Sequence, residues 1–304
     1  MITVLGSINM DLIAKVERFP KPGETVGGQA FSTSAGGKGA NQALAARRAG
    51  AGVVLYGAVG KDHFAEQSLE LLKAENVNLD AIRTVDDVTG IAMILVDASG
   101  ENQITVAPGA NGRLDRIDSA YAVQQMNPGD HLLLQMEIPA DALRTALANA
   151  RKAGVTTLLN LAPFTADAAE LAKLADIVIT NETEFAELCG KPELESEDRD
   201  AELARMHEET GQTIVITLGA DGAVAARHGQ ISRVAAMDVE TIDTVGAGDT
   251  FCGYLAAALD NGMEIGSALQ RATIAGSLAC MHEGAQPAIP AASDVDAALE
   301  IFVL

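Results

Sequence analysis

The sequence predicts an α/β fold built around a mostly parallel sheet; two observations favour it, and a third marks where the chain departs from it. Strand-like and helix-like runs alternate along most of the 304 residues, which is typical of βαβ units. The strand-like runs are almost entirely apolar, as expected when helices cover both faces of a sheet. Two β-prone segments, 12–35 and 91–106, interrupt this alternation and do not resemble a βα repeat.

The elements of the alternating part are assigned in order. The first helix is rich in Ala, Leu and Arg and should end at Gly50. Asp62 is suited to cap the second helix, in which Phe64, Leu69 and Leu72 recur at helical spacing. Strands are expected at 2–7, 53–59, 131–138, 156–163, 176–181 and 213–218. Helices are expected at 41–50 (within the stretch 38–50), 63–76, 141–154, 168–175 and 182–190.

The two interrupting segments admit two interpretations. The first carries Pro20, Pro22 and several glycines between short β-prone pieces, and the second has the pattern of a hairpin that turns near Gly100. Together they form either a small extra sheet standing off the core or an ordinary edge hairpin plus a long loop. The pattern leaves both open. The acidic stretch at 193–202 is expected to be solvated.

Charge and cysteine content disfavour several classes of function. Lys plus Arg number 21 and Asp plus Glu number 42, and the resulting net charge of −21 argues against nucleic acid or an anionic membrane as a partner. The three cysteines are widely spaced and odd in number, which indicates a reducing compartment. The five histidines show no paired metal spacing, and no apolar stretch approaches the ~18 residues of a membrane span. A cytoplasmic location is therefore expected.

The strongest local motif is the glycine-rich turn at 243–250, which leads into an Ala-rich helix. Gly246 and Gly248 allow positive φ and let a ligand approach the backbone closely. Free amides at the start of the helix, with the helix dipole, form an anion hole suited to a phosphoryl group in transfer. Asp249 lies in the mouth of this hole, where a carboxylate can accept the proton of an attacking hydroxyl. The alternative is that Asp249 only caps the helix.

Two further motifs lie near the N-terminus. Residues 34–42 open the first long helix, and Lys38 is placed to reach polar ligand groups, as is Asn41; a purely structural glycine turn is the alternative. Residues 6–11 directly follow the first strand, where open α/β sheets bind ligands. The Asn9 amide and the Asp11 carboxylate in this stretch are suited to binding sugar hydroxyls; the alternative is that they form an acidic cap. Neither motif is a Walker A loop or a GxGxxG fingerprint.

Other strand ends also present polar groups beside turns. Glu137 ends the strand at 131–138. The polar cluster at 181–184 is suited to hydrated Mg²⁺ or phosphates, or simply starts a helix with Asn181 as its cap. The glycines at 217–222 would let a flat ring or a phosphate lie against the backbone. The convergence of several such strand ends weighs more than any single motif.

Taken together, these motifs resemble those of the phosphofructokinase-B-type carbohydrate kinases, and within that family those of the ribokinases. The resemblance covers essentially the whole chain, and GSINMD with GGKGANQA is more specific to ribokinases than the family-wide GAGDTF. The matching motifs are GSINMD (6–11), FPKPGETV (19–26), GGKGANQA (36–43), GAN (109–111), LLLQMEIP (132–139), NETE (181–184), TLGADG (217–222), DTVGAGDTF (243–251) and GAQPAIP (284–290).

The resemblance implies a ribokinase-like three-layer α/β/α sandwich with a mostly parallel central sheet and a small β-sheet lid. The core would comprise 1–11, 36–90 and 107–304. The lid would comprise 12–35 and 91–106 and would pair two subunits in a homodimer. The implied reaction is ATP-dependent phosphorylation of D-ribose at the 5-hydroxyl, which gives ribose 5-phosphate and ADP.

Three other functions compete with this reading. A related kinase would act on deoxyribose, fructose, another pentose or a nucleoside. A sugar-binding protein would have kept the fold and lost catalysis, which the intact GAGD turn disfavours. A nicotinamide-dependent oxidoreductase is disfavoured because GxGxxG is missing.

The resemblance also implies a role for each matching residue. Asp249 would be the base on the ribose 5-hydroxyl, with the amides of Gly246, Ala247 and Gly248 around the transferred group. The sugar would be held by Asn9, Asp11, Gly37, Lys38, Asn41, Glu137 and Asp249. ATP would contact Asn181, Thr217, Gly219, Ala220, Asp221, Gly222, Gly248 and Thr273. Glu184 would order Mg²⁺ and phosphate.

A monovalent cation, usually K⁺, is implied beside the anion hole. It would lie among Asp243, Val245, Ala279, His282, Gly284 and Ala288, mostly on backbone carbonyls. Ala288 replaces a serine that helps bind the cation in many relatives, so weaker K⁺ binding is expected here. His282 replaces a common arginine, which leaves its carbonyl unaffected. Gly246 replaces an alanine of some relatives, which should only loosen the turn.

Overall fold

A computed structural model describes residues 1–302 of the chain. Its strands are β1 (Ile2–Leu5), β2 (Asn9–Val16), β3 (Gly28–Gly36), β4 (Val53–Val59), β5 (Ile82–Thr84), β6 (Gly90–Val96), β7 (Asn102–Ala107), β8 (His131–Gln135), β9 (Thr156–Asn160), β10 (Ile177–Asn181), β11 (Thr213–Thr217), β12 (Ala223–Arg227) and β13 (Gln230–Val234). Its α-helices are α1 (Lys38–Arg48), α2 (His63–Ala74), α3 (Arg116–Gln124), α4 (Ala140–Ala153), α5 (Ala168–Ala172), α6 (Glu182–Leu188), α7 (Ser196–Thr210), α8 (Ala247–Asp260), α9 (Ile265–Ala279) and α10 (Ala292–Phe302).

The central sheet has nine strands in the order β13-β12-β11-β10-β9-β8-β1-β4-β5. Neighbouring strands from β11 through to β5 pair in parallel, and the antiparallel pairs are β11 with β12 and β12 with β13, at one side of the sheet. The predicted mostly parallel sheet is confirmed. The carboxyl ends of its parallel strands therefore lie along one edge, which is where such sheets bind ligands.

Helices cover both faces of this sheet because its strands are apolar on both sides. Val4 and Leu133 pack into one core with side chains of α1, α2, α8 and α9. Leu5 and Leu134 point the other way, into a second core with α3, α4 and α5. The three-layer α/β/α arrangement is thus confirmed. None of the helices in residues 1–302 combines the length and apolar character that crossing a bilayer requires.

The local chemistry of helix ends agrees with the sequence in most places. Asp62 caps α2 by accepting a hydrogen bond from the Ala65 amide, as predicted. Gly50 follows α1 with a φ of 98°, a left-handed conformation that glycine adopts without strain. The stretch expected to be solvated contains the start of α7, which is mostly exposed but buries Arg199 and Leu203.

The interrupting segments form a second sheet, in the strand order β3-β2-β6-β7. The hairpin of β6 and β7 is present, with antiparallel pairing from Ile91 opposite Ala107 to Val96 opposite Asn102. The extra-sheet interpretation is therefore correct, and the edge-hairpin interpretation is wrong. The second sheet reaches further than the predicted lid, since β2 starts at Asn9. The division of the chain into a core and a lid domain stays a prediction.

Helices α1 and α8 pack unusually closely because glycine lies at their contact. A Cβ atom on Gly253 would lie 2.5 Å from Ala45 Cβ and 2.6 Å from the Gln42 carbonyl oxygen. On its other side α1 meets the end of β1, where a Cβ on Gly39 would lie 2.5 Å from the Gly6 carbonyl carbon. The two glycines therefore fix how near α1 can lie to both β1 and α8.

We expect Gly253→Ala to destabilise the protein by about 1–3 kcal/mol, because the added methyl group must push α1 and α8 apart. Urea unfolding followed by circular dichroism measures this. Gly266→Ala is the matched control, since a Cβ there meets nothing closer than Ser232 Oγ at 3.8 Å; this variant should be neutral or more stable by up to ~1 kcal/mol. Equal effects of the two substitutions would contradict the packing argument.

Candidate active site

Asp249 lies in the first turn of α8 but does not cap that helix. The capping position is held by Gly246, which makes no side-chain hydrogen bond. The Asp249 carboxylate instead accepts one hydrogen bond on each oxygen, from Asn41 Nδ2 and from Gln42 Nε2, both at 2.9 Å. The cap interpretation is therefore wrong, and the carboxylate is held by α1.

The turn before α8 requires glycine at Gly246. Its φ is 79°, and a Cβ there would lie 2.8 Å from Ala285 Cα. The expectation that this glycine only loosens the turn is wrong. A Cβ on Gly248, by contrast, would meet nothing within 4 Å, so the backbone at Gly248 faces open space in which a ligand can lie against it.

The amides of this turn differ in their freedom. The Ala247 amide donates to the Thr244 carbonyl oxygen at 3.3 Å, and the Thr250 amide donates to the Gly246 carbonyl oxygen at 2.8 Å. Within residues 1–302, no acceptor takes the amides of Gly246, Gly248 or Asp249. Unpaired amides at a helix N-terminus attract anions, so the predicted anion hole rests on these amides more than on that of Ala247.

Two adjoining cavities open beside this turn. The larger has a volume of 560 Å³ and the smaller 240 Å³. Both are lined by Thr217, Thr244 and Gly248, so they are continuous there. Predicted nucleotide contacts that line the larger cavity are Thr217, Gly219, Ala220, Gly222, Gly248 and Thr273. Predicted site residues that line the smaller one are Lys38, Asn181, Glu184, Thr217, Gly246, Gly248 and Asp249.

Asp221 is the predicted nucleotide contact that the structure does not bring to either cavity. It lies exposed at the end of a short 3₁₀ turn, Gly219–Asp221. Gly222 follows with a φ of 94°, and a Cβ there would lie 2.0 Å from the Val234 carbonyl oxygen. The turn is thus held against β13, and its glycine is required by that close approach.

Of the two alternatives for Asn181 and Glu184, the helix cap is confirmed, and the role in holding Mg²⁺ or phosphates stays a prediction. Asn181 caps α6 by accepting the Glu184 amide at 2.8 Å, and Glu184 Oε2 accepts the Asn181 amide at 2.9 Å. These are the two bonds of a capping box. Both residues also line the smaller cavity. Burial raises the pKa of Glu184 above its ordinary value, so a bound cation would favour the charged form.

Carboxylates cluster on the other side of Asp249, at the end of β1. Burial, with the charges of Glu137 and Asp249 nearby, raises the pKa of Asp11 to about 7. Glu137 Oε2 accepts hydrogen bonds from Ser7 Oγ at 2.5 Å and from the Lys38 amide at 3.2 Å. The Lys38 ammonium group is the cation of this cluster, and the carboxylates of Asp249, Glu137 and Glu184 raise its pKa.

The backbone at Gly37 holds these groups together. Gly37 has a φ of 90°, and a Cβ there would lie 2.6 Å from the Asn9 nitrogen. Only glycine permits this approach, which brings the start of α1 against β2. Asn9, Asp11, Gly37, Lys38, Asn41, Glu137 and Asp249, the predicted sugar-binding set, therefore meet at one place.

Sequence reasoning missed four buried amide side chains beside the site. Asn111 Nδ2 donates to Asn9 Oδ1 at 2.7 Å, and its Oδ1 accepts the Ile8 amide at 2.9 Å. Gln42, Gln135 and Asn160 form a chain of hydrogen bonds that ends on Asp249. Gln42, Asn111 and Gln135 lie inside the matching motifs 36–43, 109–111 and 132–139, which was the available signal.

The predicted cation loop is held together by Asp243. Its Oδ1 accepts the Val245 amide at 3.0 Å and its Oδ2 accepts the Gly284 amide at 2.9 Å. The His282 amide donates to the Ala279 carbonyl oxygen at 3.2 Å, while Ala288 is buried further along the same segment. In the described part of the chain, no hydrogen-bond donor engages the carbonyl oxygens of Val245, His282, Gly284 and Ala288.

The comparisons with known proteins agree with this geometry. A family model described as pfkB family carbohydrate kinase matches residues 1–292. The chain therefore belongs to the pfkB family of carbohydrate kinases.

Individual relatives narrow the similarity further. The chain is 37% identical over 290 residues to a ribokinase of Haemophilus influenzae, and the match covers 95% of each chain. It is 32% identical to a deoxyribokinase of Salmonella typhi, again over 95% of each chain. Among solved structures, ribokinase of Arabidopsis thaliana complexed with ribose and ATP superposes with a TM-score of 0.90, at 31% identity and with 98% of each chain covered.

The raised pKa of Asp11 predicts a pH-dependent stability. Between pH 3.8 and 7 the folded state keeps a proton on Asp11 that the unfolded state has lost, so the free energy of unfolding falls as pH rises through this range. We expect Asp11→Asn to be more stable than the parent by about 1–4 kcal/mol at pH 8 and by much less at pH 4. Urea unfolding at both pH values measures this. A stability difference independent of pH would contradict it.

Proposed function

We propose that the protein is a ribokinase that transfers the γ-phosphoryl group of ATP to the 5-hydroxyl of D-ribose, which gives ribose 5-phosphate and ADP. One observation carries the proposal: the Asp249 carboxylate lies where a nucleotide-sized cavity of 560 Å³ and its 240 Å³ extension meet a polar, carboxylate-rich cluster. The relatives named ribokinase, and the Arabidopsis structure with ribose and ATP, support the choice of substrates.

In this proposal Asp249 is the general base. With one oxygen held by Asn41 and the other by Gln42, its carboxylate has a fixed orientation and still has lone pairs free to accept the proton of the sugar hydroxyl. The unpaired amides of Gly248 and Asp249 take up charge on the transferring group. Most of the catalysis is therefore positioning and charge stabilisation, as phosphoryl transfer requires.

The sugar and the nucleotide approach Asp249 from opposite sides. The Asp11 carboxylate accepts no hydrogen bond from residues 1–302, so its oxygens are available to sugar hydroxyls, and Glu137 and Asn9 lie on the same side. The glycines at 219, 222 and 248 leave room for the nucleotide in the larger cavity. Excluding water between these two sides would suppress hydrolysis of ATP.

Mg²⁺ fits the smaller cavity through Glu184. Its Oε1 accepts no hydrogen bond from the described residues, while Oε2 is held by the Asn181 amide. Residues 1–302 contain no group of three His, Cys, Asp or Glu side chains placed to hold a metal ion, so water and the phosphates of ATP would complete the coordination. When bound, the ion neutralises phosphate charge.

A potassium ion fits the loop of Asp243 because its backbone carbonyls lack donors. The hydrogen bonds that the backbone amides of Val245 and Gly284 donate to Asp243 hold these two residues near each other. Their carbonyl oxygens are hard ligands of the kind that such a cation takes. The ion would add positive charge beside the anion hole in a chain whose net charge is −21.

The second sheet serves as lid and dimer contact in this proposal. Phe31, Met93, Ile104 and Val106 are exposed large apolar side chains on its strands, and burying such residues favours association. Sedimentation analysis tests the dimer: a monomer at micromolar protein concentration would argue against it. The reduced cysteines, all unpaired, support a cytoplasmic location, which cell fractionation tests.

Phosphorylation of deoxyribose is the second candidate, because a deoxyribokinase of Salmonella typhi is 32% identical over 95% of each chain. The two sugars differ by a single hydroxyl, and a site that hydrogen-bonds this hydroxyl rejects the analogue lacking it. A coupled assay with a panel of sugars, ribose and deoxyribose among them, distinguishes the candidates.

We expect Asp249→Asn to lower kcat for phosphate transfer to ribose by about 10²- to 10⁴-fold, because an amide cannot accept the proton. Ribose and ATP should still bind, as measured by calorimetry. Asp141→Asn is the control: that carboxylate is 64% exposed and pairs with Arg116 on the surface, so turnover should not change. Near-normal turnover of Asp249→Asn would refute the assignment of the base.

Phosphate transfer should be faster with potassium than with sodium as the only monovalent cation. The difference should disappear in Asp243→Ala, because this variant loses the acceptor that holds the Val245 and Gly284 amides. Initial rates at matched ionic strength measure the effect. Equal rates of the parent protein in the two salts would exclude the proposed cation site.

A further inference from the structure

Gln42 connects the Asp249 carboxylate to the carboxyl ends of strands β8 and β9 in the central sheet. Its Nε2 donates to Asp249 Oδ1 at 2.9 Å and lies 3.2 Å from Asn160 Oδ1. Its Oε1 accepts from Gln135 Nε2 at 2.7 Å. Gln42 and Gln135 have no exposed surface and Asn160 has 7%. We call these three amides, of which Gln42 alone donates to Asp249, the amide relay.

The relay fixes which end of the Gln42 amide faces the carboxylate. Because Gln135 donates to the Gln42 oxygen, the NH₂ group of Gln42 must point toward Asp249 and Asn160. The opposite orientation would set an amide oxygen against a carboxylate oxygen in a buried site, which is repulsive. Gln135 and Asn160 are paired in register at the carboxyl ends of β8 and β9, so the sheet sets the direction.

The relay is not explained by stability alone. Gln135 Oε1 is buried and makes no hydrogen bond within residues 1–302, and an unsatisfied buried acceptor lowers stability. A Cβ on Gly6 would lie 2.0 Å from this oxygen, so the fold also requires glycine there to admit the glutamine. An apolar side chain at Gln135 would leave no unsatisfied acceptor, although glycine would still be needed at Gly6, where a Cβ would also lie 2.7 Å from Gly39 Cα.

Gln42 does not line either cavity, so it acts through Asp249 and not on the ligands. We propose that Gln42, oriented by Gln135, is a positioning residue for the phosphate-transfer reaction. It fixes the rotation of the Asp249 carboxylate by donating a hydrogen bond to Oδ1. This inference rests on the proposed function, in which Asp249 is the base.

Substitutions of matched shape test the relay. Gln42→Met removes the donor and keeps the length of the side chain, whereas Gln42→Glu keeps the acceptor for Gln135 but sets a second carboxyl group beside Asp249. We expect kcat to fall about 10- to 100-fold in Gln42→Met and further in Gln42→Glu, with little change in KM for ribose.

Gln212→Met is the control. Gln212 also donates from a partly buried amide, to the carbonyl oxygens of Ala172 and Ala175, but these lie away from both cavities. The Gln212→Met variant should lower the melting temperature and leave kcat unchanged. A Gln42→Met variant that loses only melting temperature and keeps the parent's kcat overturns the inference. A parent protein that phosphorylates no sugar overturns the proposed function, and the inference with it.

Discussion

The site depends on the contact between α1 and α8, two helices separated by about two hundred residues of chain. Gly253 lets their backbones meet at a distance that a methyl group would prevent. The amides of Asn41 and Gln42 thereby reach the Asp249 carboxylate, while the same turn of α8 keeps its free amides toward the cavities. The proposed base, the proposed anion hole and the start of the proposed sugar-binding cluster are therefore all positioned by one helix pair.

Charge is the second constraint. Asp11, Glu137, Glu184 and Asp249 share the neighbourhood of Lys38, in a chain that carries twice as many acidic as basic residues. An anionic nucleotide is attracted to such a place only by local features. Unpaired backbone amides and a helix dipole provide them without a net positive surface, and bound cations would add to this attraction.

The sequence predicts most of the sheet because buried parallel strands consist of runs of apolar residues. The sequence also predicts both ends of β4 in agreement with the structure. It misses β12 and β13, where the alanines of Ala223–Arg227 have little strand propensity and only pairing at the edge makes them strands. It also misses helix α7, because this mostly acidic helix has only one buried apolar residue, Leu203, and so shows no apolar periodicity. Such elements are determined by tertiary contacts more than by local pattern.

The candidate site divides along similar lines. Residues within a motif, such as Gly246 or the cap Asn181, follow from local backbone chemistry, which a sequence displays directly. Local backbone chemistry does not decide whether Asp249 caps a helix or faces a ligand, because the orientation of its carboxylate depends on Gln42, 207 positions away. Asp221 shows the converse: it belongs to a matching motif, yet its side chain is exposed and away from both cavities.

Strand β2 joins two tasks that many enzymes assign to separate segments. Its first residues, Asn9 and Asp11, belong to the carboxylate cluster, and the same strand continues to Val16 as the middle of the second sheet, paired on both sides. From Asp11 to Val16 is about 17 Å of extended backbone. Because Asp11 and Val16 belong to one strand, a displacement of the outer end of the second sheet would be transmitted to Asp11 through the backbone of β2 itself.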